Sequence, residues 1–279
     1  MAESMKRFVA AVVLTLPIAC AHAQFDHQHR AWDALLKKHV VLVNEGTASR
    51  VRYEGFVHDR DALKAYLDSL AEVTSAEFNT WTRAQRVAFL INAYNAFTID
   101  KILTRYPDIH SIWEFGKLFG NPFKDDFFML FGEPFSLDRI EHGMLRKPGA
   151  YDEPRVHFAV NCASVGCPML REEAYVGTRL DAQLEEQTKR FLSDRTRNRF
   201  DRAASRLEVS QIFKWYEVDW TSGYRGFAGD AAPLHSREQF FAGYADLLAD
   251  TEQDRDLIRA RKAPLAFLDY DWSLNDAGR

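Results

Sequence analysis

The segment "TRAQRVAFLINAYNAFTIDKILTRYP", residues 82–107, constrains the fold more than any other part of the chain. From Val87 to Leu103 its apolar residues run nearly all the way round a helix. A surface helix buries one stripe, whereas a helix apolar on every side has to be enclosed by the rest of the chain. Pro107 closes it, since proline cannot continue the hydrogen-bond ladder. Asn92 and Asn95 lie about 60° apart on this otherwise apolar surface. Each buried amide must find partners. The pair either braces the core against a loop or supplies a donor that orients a histidine or holds an oxyanion, which makes both candidate substrate-binding residues.

Other helices follow by periodicity. "HRAWDALLKKHVVLV", "DRDALKAYLDSLAEV" and "SAEFNTW" repeat apolar residues every three or four positions, with Asp or Ser near their starts. "GTRLDAQLEEQTKRFL" opens on an approximate capping box and places Leu180, Leu184 and Phe191 on one face. Strand signals are short. "FKDDFFMLFGEPFSL" reads as a hairpin about Gly132-Glu133, "RVHFAV" as a buried strand and "RLEVS" as another. The expected class is α+β, a mainly helical single domain around a small antiparallel sheet. No repeat, low-complexity tract or Gly/Ser linker divides residues 24–279.

The first 23 residues predict the compartment. Lys6 and Arg7 precede the apolar run "FVAAVVLTLPIA" and then "AHA", the layout of a cleaved signal peptide. That run is shorter than the roughly 18–20 residues of a membrane span, and no later segment approaches one. An exported protein, periplasmic or extracellular, is expected, and cleavage after Ala23 removes Cys20. Of 36 basic and 40 acidic residues, losing Lys6, Arg7 and Glu3 leaves 34 and 39. Nucleic-acid binders carry a clustered basic excess, so no nucleic-acid partner is expected.

Two places hold chemistry-bearing side chains. On the helix "SLDRIEHGMLRK", capped by Ser136, Glu141 falls inside the apolar arc of Leu137, Ile140, Met144 and Leu145, with His142 at its edge. A carboxylate there must be paired, hydrogen-bonded or protonated. A neighbouring histidine adds a proton acceptor that works near neutral pH. The second place is "RVHFAVNCASVGCPML", with Cys162 and Cys167. Read as a strand, it sends His157 and Cys162 to opposite faces, so His142 is preferred over His157 as a base for Cys162. Three roles remain open for the cysteines. They could close a disulfide, as the compartment favours. Cys162 could be a nucleophile beside backbone N–H groups of Ala163 and Ser164. A metal site would need a histidine beside both thiolates, without a C-x-x-C or close H-x-x-x-H pair.

Taken together, "INAYNAFTI", "SLDRIEHGMLR", "RVHFAVNCASVGCPML", "SQIFKWYEVDW" and "LDYDWSLN" resemble the domain of unknown function 547 family, in the expected order from about residue 80 onward. The resemblance implies a cysteine-protease-like arrangement in which a Glu, a His and a Cys act together; here these are Glu141, His142 and Cys162. It also implies that Cys167 is accessory, because plant relatives often carry serine at that position. The leading expectation is therefore a cysteine hydrolase or acyl transferase acting on an amide, thioester or ester of a peptide or small acyl substrate, with no metal or organic cofactor. The alternative is a non-catalytic domain that binds a peptide or glycan. Its groove would be formed by Trp113, Trp215, Tyr216, Trp220, Tyr270 and Trp272, braced by a Cys162–Cys167 disulfide. Neither reading specifies an oligomeric state.

Overall fold

The computed structural model describes residues 24–116, 120–224 and 232–279. The expected signal segment, residues 1–23, lies outside the described residues. Helix α1 (Arg30–His39) stops where Val40 and Val41 begin strand β1 (Val40–Val43), which pairs antiparallel with β2 (Ala48–Val51). The β-branched run that extends the periodicity of α1 is thus a strand, in keeping with the preference of valine for a pleated surface. Helices α2 (Tyr53–His58), α3 (Arg60–Ala71) and α4 (Ser75–Thr80) then lead to α5 (Arg83–Leu103). Thr82 and Gln85 form a reciprocal capping box at the start of α5, and sixteen of its residues are buried. It is the central helix that its composition demands.

The hairpin of β3 (Phe128–Leu130) and β4 (Glu133–Phe135) turns at Phe131 and Gly132, both with positive φ, the backbone that a two-residue connection requires. Helix α6 (Leu137–Ile140) is capped by Ser136 and widens into a π-turn at Glu141–Leu145, where Arg146 N–H donates to the Glu141 carbonyl. Helix α7 is Leu180–Ser193. A third sheet joins β5 (Arg199–Asp201), β6 (Arg206–Val209) and β7 (Leu265–Phe267), the first pair antiparallel and the second parallel. Short helices α8 (Ile212–Trp215) and α9 (Glu217–Thr221) follow β6. The protein is mainly helical α+β, with three small sheets among the described residues where one was expected.

One correction reaches the site. "RVHFAV" is not a strand: Pro154–Phe158 form a 3₁₀ turn opened by Pro154 and capped by the Glu153 carboxylate on Arg155 N–H. Two apolar clusters meet at this turn. Val156, Ala159 and Val160 pack into the cluster around α5. Phe158 packs into a second cluster with Phe191, Phe213, Trp220 and Phe240. The chain just after the turn therefore emerges at the seam between the two cores.

Candidate active site in a cavity between the cores

A cavity of about 320 Å³ opens at that seam. Glu141, His142 and Cys162 all line it. So do His157, Asp138, Tyr94, Tyr216 and Cys167, with Trp113, Trp215, Tyr270 and Trp272 among its aromatic residues. Five of the six aromatics expected in a groove are present; Trp220 instead lies in the second core.

Glu141 is buried, as its place on the apolar arc required. The hydroxyls of Tyr94 and Tyr216 lie close enough to feel its carboxylate charge. Burial, reinforced by that negative charge, pushes both phenols upward, so they remain protonated donors. Glu141 thus sits beside two protonated tyrosines, and among the described residues no hydrogen bond joins it to His142.

The two histidines differ in what they can do. His142 is partly exposed, with Nδ1 against the guanidinium of Arg146 and Nε2 3.8 Å from Asp138 Oδ1. A guanidinium can only donate, so Nδ1 accepts and the neutral ring carries its proton on Nε2. In this arrangement His142 has no open lone pair for a thiol proton. His157 is buried, stacked on Tyr216 at 4.1 Å, with Nε2 2.7 Å from Asp219 Oδ2. Asp219 also receives two hydrogen bonds from Arg146, at 2.5 and 3.2 Å. Burial pushes the imidazole of His157 down, against the pull of Asp219 and, further off, Glu141. Burial also works to raise Asp219, but His157 and Arg146 overcome it and hold the carboxyl below its usual range. A neutral His157 that donates Nε2–H to Asp219 keeps Nδ1 as an acceptor, and among the described residues nothing hydrogen-bonds it there. The reason for passing over His157 disappears with the strand on which it rested.

Cys162 and Cys167 are joined by a disulfide, with Cα atoms 6.2 Å apart. Of the roles open to the pair, the structure holds the disulfide, and a nucleophilic Cys162 belongs to the reduced protein. Asn161 shapes the turn by accepting from Ala163 N–H and donating to the Pro168 carbonyl. The C-terminal strand-like segment closes over it: Val165 N–H donates to Ser273, Gly166 N–H to Asp271, and Asn275 N–H to Ala163. Tyr270 is thereby set against both sulfurs, at 3.3 Å from Cys162 and 3.1 Å from Cys167.

Asn92 and Asn95 do not line the cavity. Asn92 exchanges hydrogen bonds with both backbone groups of Tyr175, while Asn95 bonds the Ala159 carbonyl and Asn161 N–H. Their amides are spent on holding loops to α5, so substrate binding is corrected to bracing; Asn95 positions the chain that leads into Cys162. The residues missed from sequence are Tyr94, Arg146 and Asp219. Tyr94 lies inside the quoted "INAYNAF" and Asp219 inside "KWYEVDW", but nothing local distinguishes them from core aromatic and helix-surface acid. Among the described residues, no group of three or more His, Cys, Asp or Glu side chains is arranged to hold a metal ion. No helix among them is long and apolar enough to cross a membrane.

Residues 78–192 match the family model described as "Protein of unknown function, DUF547". No curated protein and no solved structure matches the chain. The matched segment carries α5, Glu141, His142, His157 and both cysteines; Asp219, Trp215, Tyr216 and Tyr270 lie beyond it.

Proposed function

We propose that this chain, a member of the DUF547 family through residues 78–192, is a cysteine-dependent hydrolase or acyl transferase for an amide, thioester or ester, active when Cys162 is reduced. The observation that carries the reading is that Cys162 shares one cavity with a histidine already oriented by a buried carboxylate, the His157–Asp219 pair. In the reduced protein, Nδ1 of His157 takes the proton of Cys162, and the thiolate attacks the carbonyl carbon. Asp219 and Glu141 stabilise the imidazolium that forms. His157 then returns its proton to the leaving group, and water or an amine releases the acyl group from Cys162. The base is thus His157, in place of the His142 expected from sequence. Arg146, itself in contact with His142, holds the other side of Asp219. Export, read from residues 1–23, would keep the resting protein in its disulfide form.

The test needs no substrate. On fully reduced protein, the rate of Cys162 alkylation by iodoacetamide is followed against pH. An inflection below the ordinary thiol value of about 8.5 is expected, moving up on His157→Ala and not on His142→Ala. An ordinary thiol profile, indifferent to His157, would overturn the mechanism.

A second reading is favoured by the disulfide together with the aromatic wall: a binding pocket without catalysis. Trp215 stacks on Trp272 at 5.7 Å, Tyr270 packs on both, and Trp113 meets Trp272 edge-on at 5.3 Å. Such a surface suits a sugar ring or a peptide side chain. Tight binding of an oligosaccharide or peptide to the oxidised protein, with unactivated Cys162 in the reduced one, would select this alternative.

A further inference from the structure

The two sulfurs of the cavity disulfide are not equivalent. Cys162 is half-buried, and Cys167 is 4% exposed. Cys162 Sγ has hydroxyl contacts only, Ser164 Oγ at 3.1 Å and Tyr270 at 3.3 Å, whereas a backbone donor also reaches Cys167. Cys162 N–H donates to Cys167 Sγ at 2.9 Å, and the Tyr270 hydroxyl donates to the same sulfur at 3.1 Å. Ser164 Oγ also lies 3.3 Å from the Tyr270 oxygen; when it donates there, the tyrosine proton is directed at Cys167, the nearer of the two sulfurs. In thiol–disulfide exchange one sulfur is attacked and the other departs as a thiolate, and the rate depends on access to the first and stabilisation of the second. Access favours Cys162 as the attacked atom. Two donors converge on Cys167, where the negative charge of a departing thiolate would develop.

From this asymmetry we infer that the Cys162–Cys167 disulfide is an exchange site for a small-molecule thiol, which attacks Cys162 and expels Cys167. The thiolate RS⁻ forms a bond to Cys162 Sγ, the bond between the cysteines breaks, and its electron pair goes to Cys167 Sγ. The proton lost by RSH on ionisation ends on Cys167. A second thiol attacks the R-linked sulfur, giving RSSR and releasing Cys162, so two RSH are oxidised as the protein disulfide is reduced. A small thiol is the fitting reactant because Cys162 faces an open-mouthed cavity of only about 320 Å³, walled by Trp215, Tyr270 and Trp272. The exchange does not require acyl transfer, although it delivers the reduced Cys162 on which that reading depends.

The test uses the oxidised full chain and L-cysteine as the thiol. The reaction is quenched in acid at early times, free thiols are blocked with N-ethylmaleimide, and fragmentation of the peptide spanning both positions locates each group. Cysteine on Cys162 with maleimide on Cys167 is expected, in about tenfold excess over the reverse. Tyr270→Phe should slow the exchange about tenfold, the effect of losing one hydrogen bond to a charged sulfur. Ser164→Ala, a smaller change, should slow it less, and it serves if Tyr270→Phe does not fold. An adduct mainly on Cys167 would overturn the inference. So would a disulfide that L-cysteine opens only after denaturation, or one opened only by a protein dithiol. Alkylation of pre-reduced Cys162 is read separately, so failure here and failure of the hydrolase reading are distinguishable.

Discussion

Buried histidines make this protein's stability depend on mildly acidic pH. His29 is 2% exposed and hydrogen-bonded to the Tyr66 hydroxyl at 2.8 Å, and burial pushes it down to about 3. The unfolded chain takes up a proton as pH falls through about 6.5, and the folded chain refuses it until about 3. Its contribution to stability is therefore present above 6.5 and lost as pH falls toward 3. His157 is displaced in the same direction. Carboxylates such as Glu173, held at about 2 in the fold against 4.5, add their loss only lower down. Urea midpoints should be level near pH 8 and decline from 6.5. His29→Asn should shallow that decline by about 1.4 kcal/mol per pH unit, one proton's worth, whatever it does at pH 8. An unchanged slope would mean His29 is protonated within the fold. At this scale the sequence was partly legible. The apolar arc correctly buried Glu141, but the choice between His142 and His157 turned on Arg146 and Asp219, whose approach no local spacing reveals.

Among elements, the turn at residues 161–167 and the C-terminal segment that closes over it depend on one glycine. A Cβ on Gly166 would stand 2.9 Å from Asp271 N and 3.0 Å from its carbonyl oxygen, both backbone atoms that cannot swing aside. Gly166→Ala should destabilise the protein by about 1–3 kcal/mol, seen as a lowered thermal midpoint. It should also loosen the contact of Tyr270 with the sulfurs, so cysteine exchange should lose its preference for Cys162. A variant as stable as the parent would show that the segment can retreat at no cost. The short elements were the hardest to read ahead. "RVHFAV" has the β-branched and aromatic content of a strand, yet it is a 3₁₀ turn. The Glu153 cap holds its start, and Asn95 of α5 pins the backbone just beyond its end. The π-turn after Ile140 was equally hidden, because a 3.6-residue period is assumed when an apolar arc is drawn.

For the whole molecule, Phe158 is the side chain that ties the turn of the α5 core to the second cluster. It is fully buried and stacks on Phe191 at 5.0 Å and Trp220 at 5.5 Å. Phe158→Ala should cost about 3–5 kcal/mol and separate the two clusters on heating. In the parent, fluorescence of Trp32 in one core and Trp220 in the other, each read in variants lacking the other tryptophans, should change at a single midpoint. Divergent midpoints in the parent would show that the cores are independent. The enclosing architecture could be read before any coordinates, because α5 is apolar all round and Thr82, Gln85 and Pro107 mark its limits. Those are local properties: periodicity, capping chemistry and backbone restriction act within a few residues. The cavity is not local. It joins α5, the π-turn, the 3₁₀ turn, α8 with Tyr216 just beyond it, and the C-terminal segment, stretches separated by up to about 180 residues. The pairing of His157 with Asp219, and of Tyr270 with both sulfurs, exists only after two apolar clusters have packed against each other. Burial then gives those polar contacts their strength, and no spacing along the chain encodes which partners it brings together.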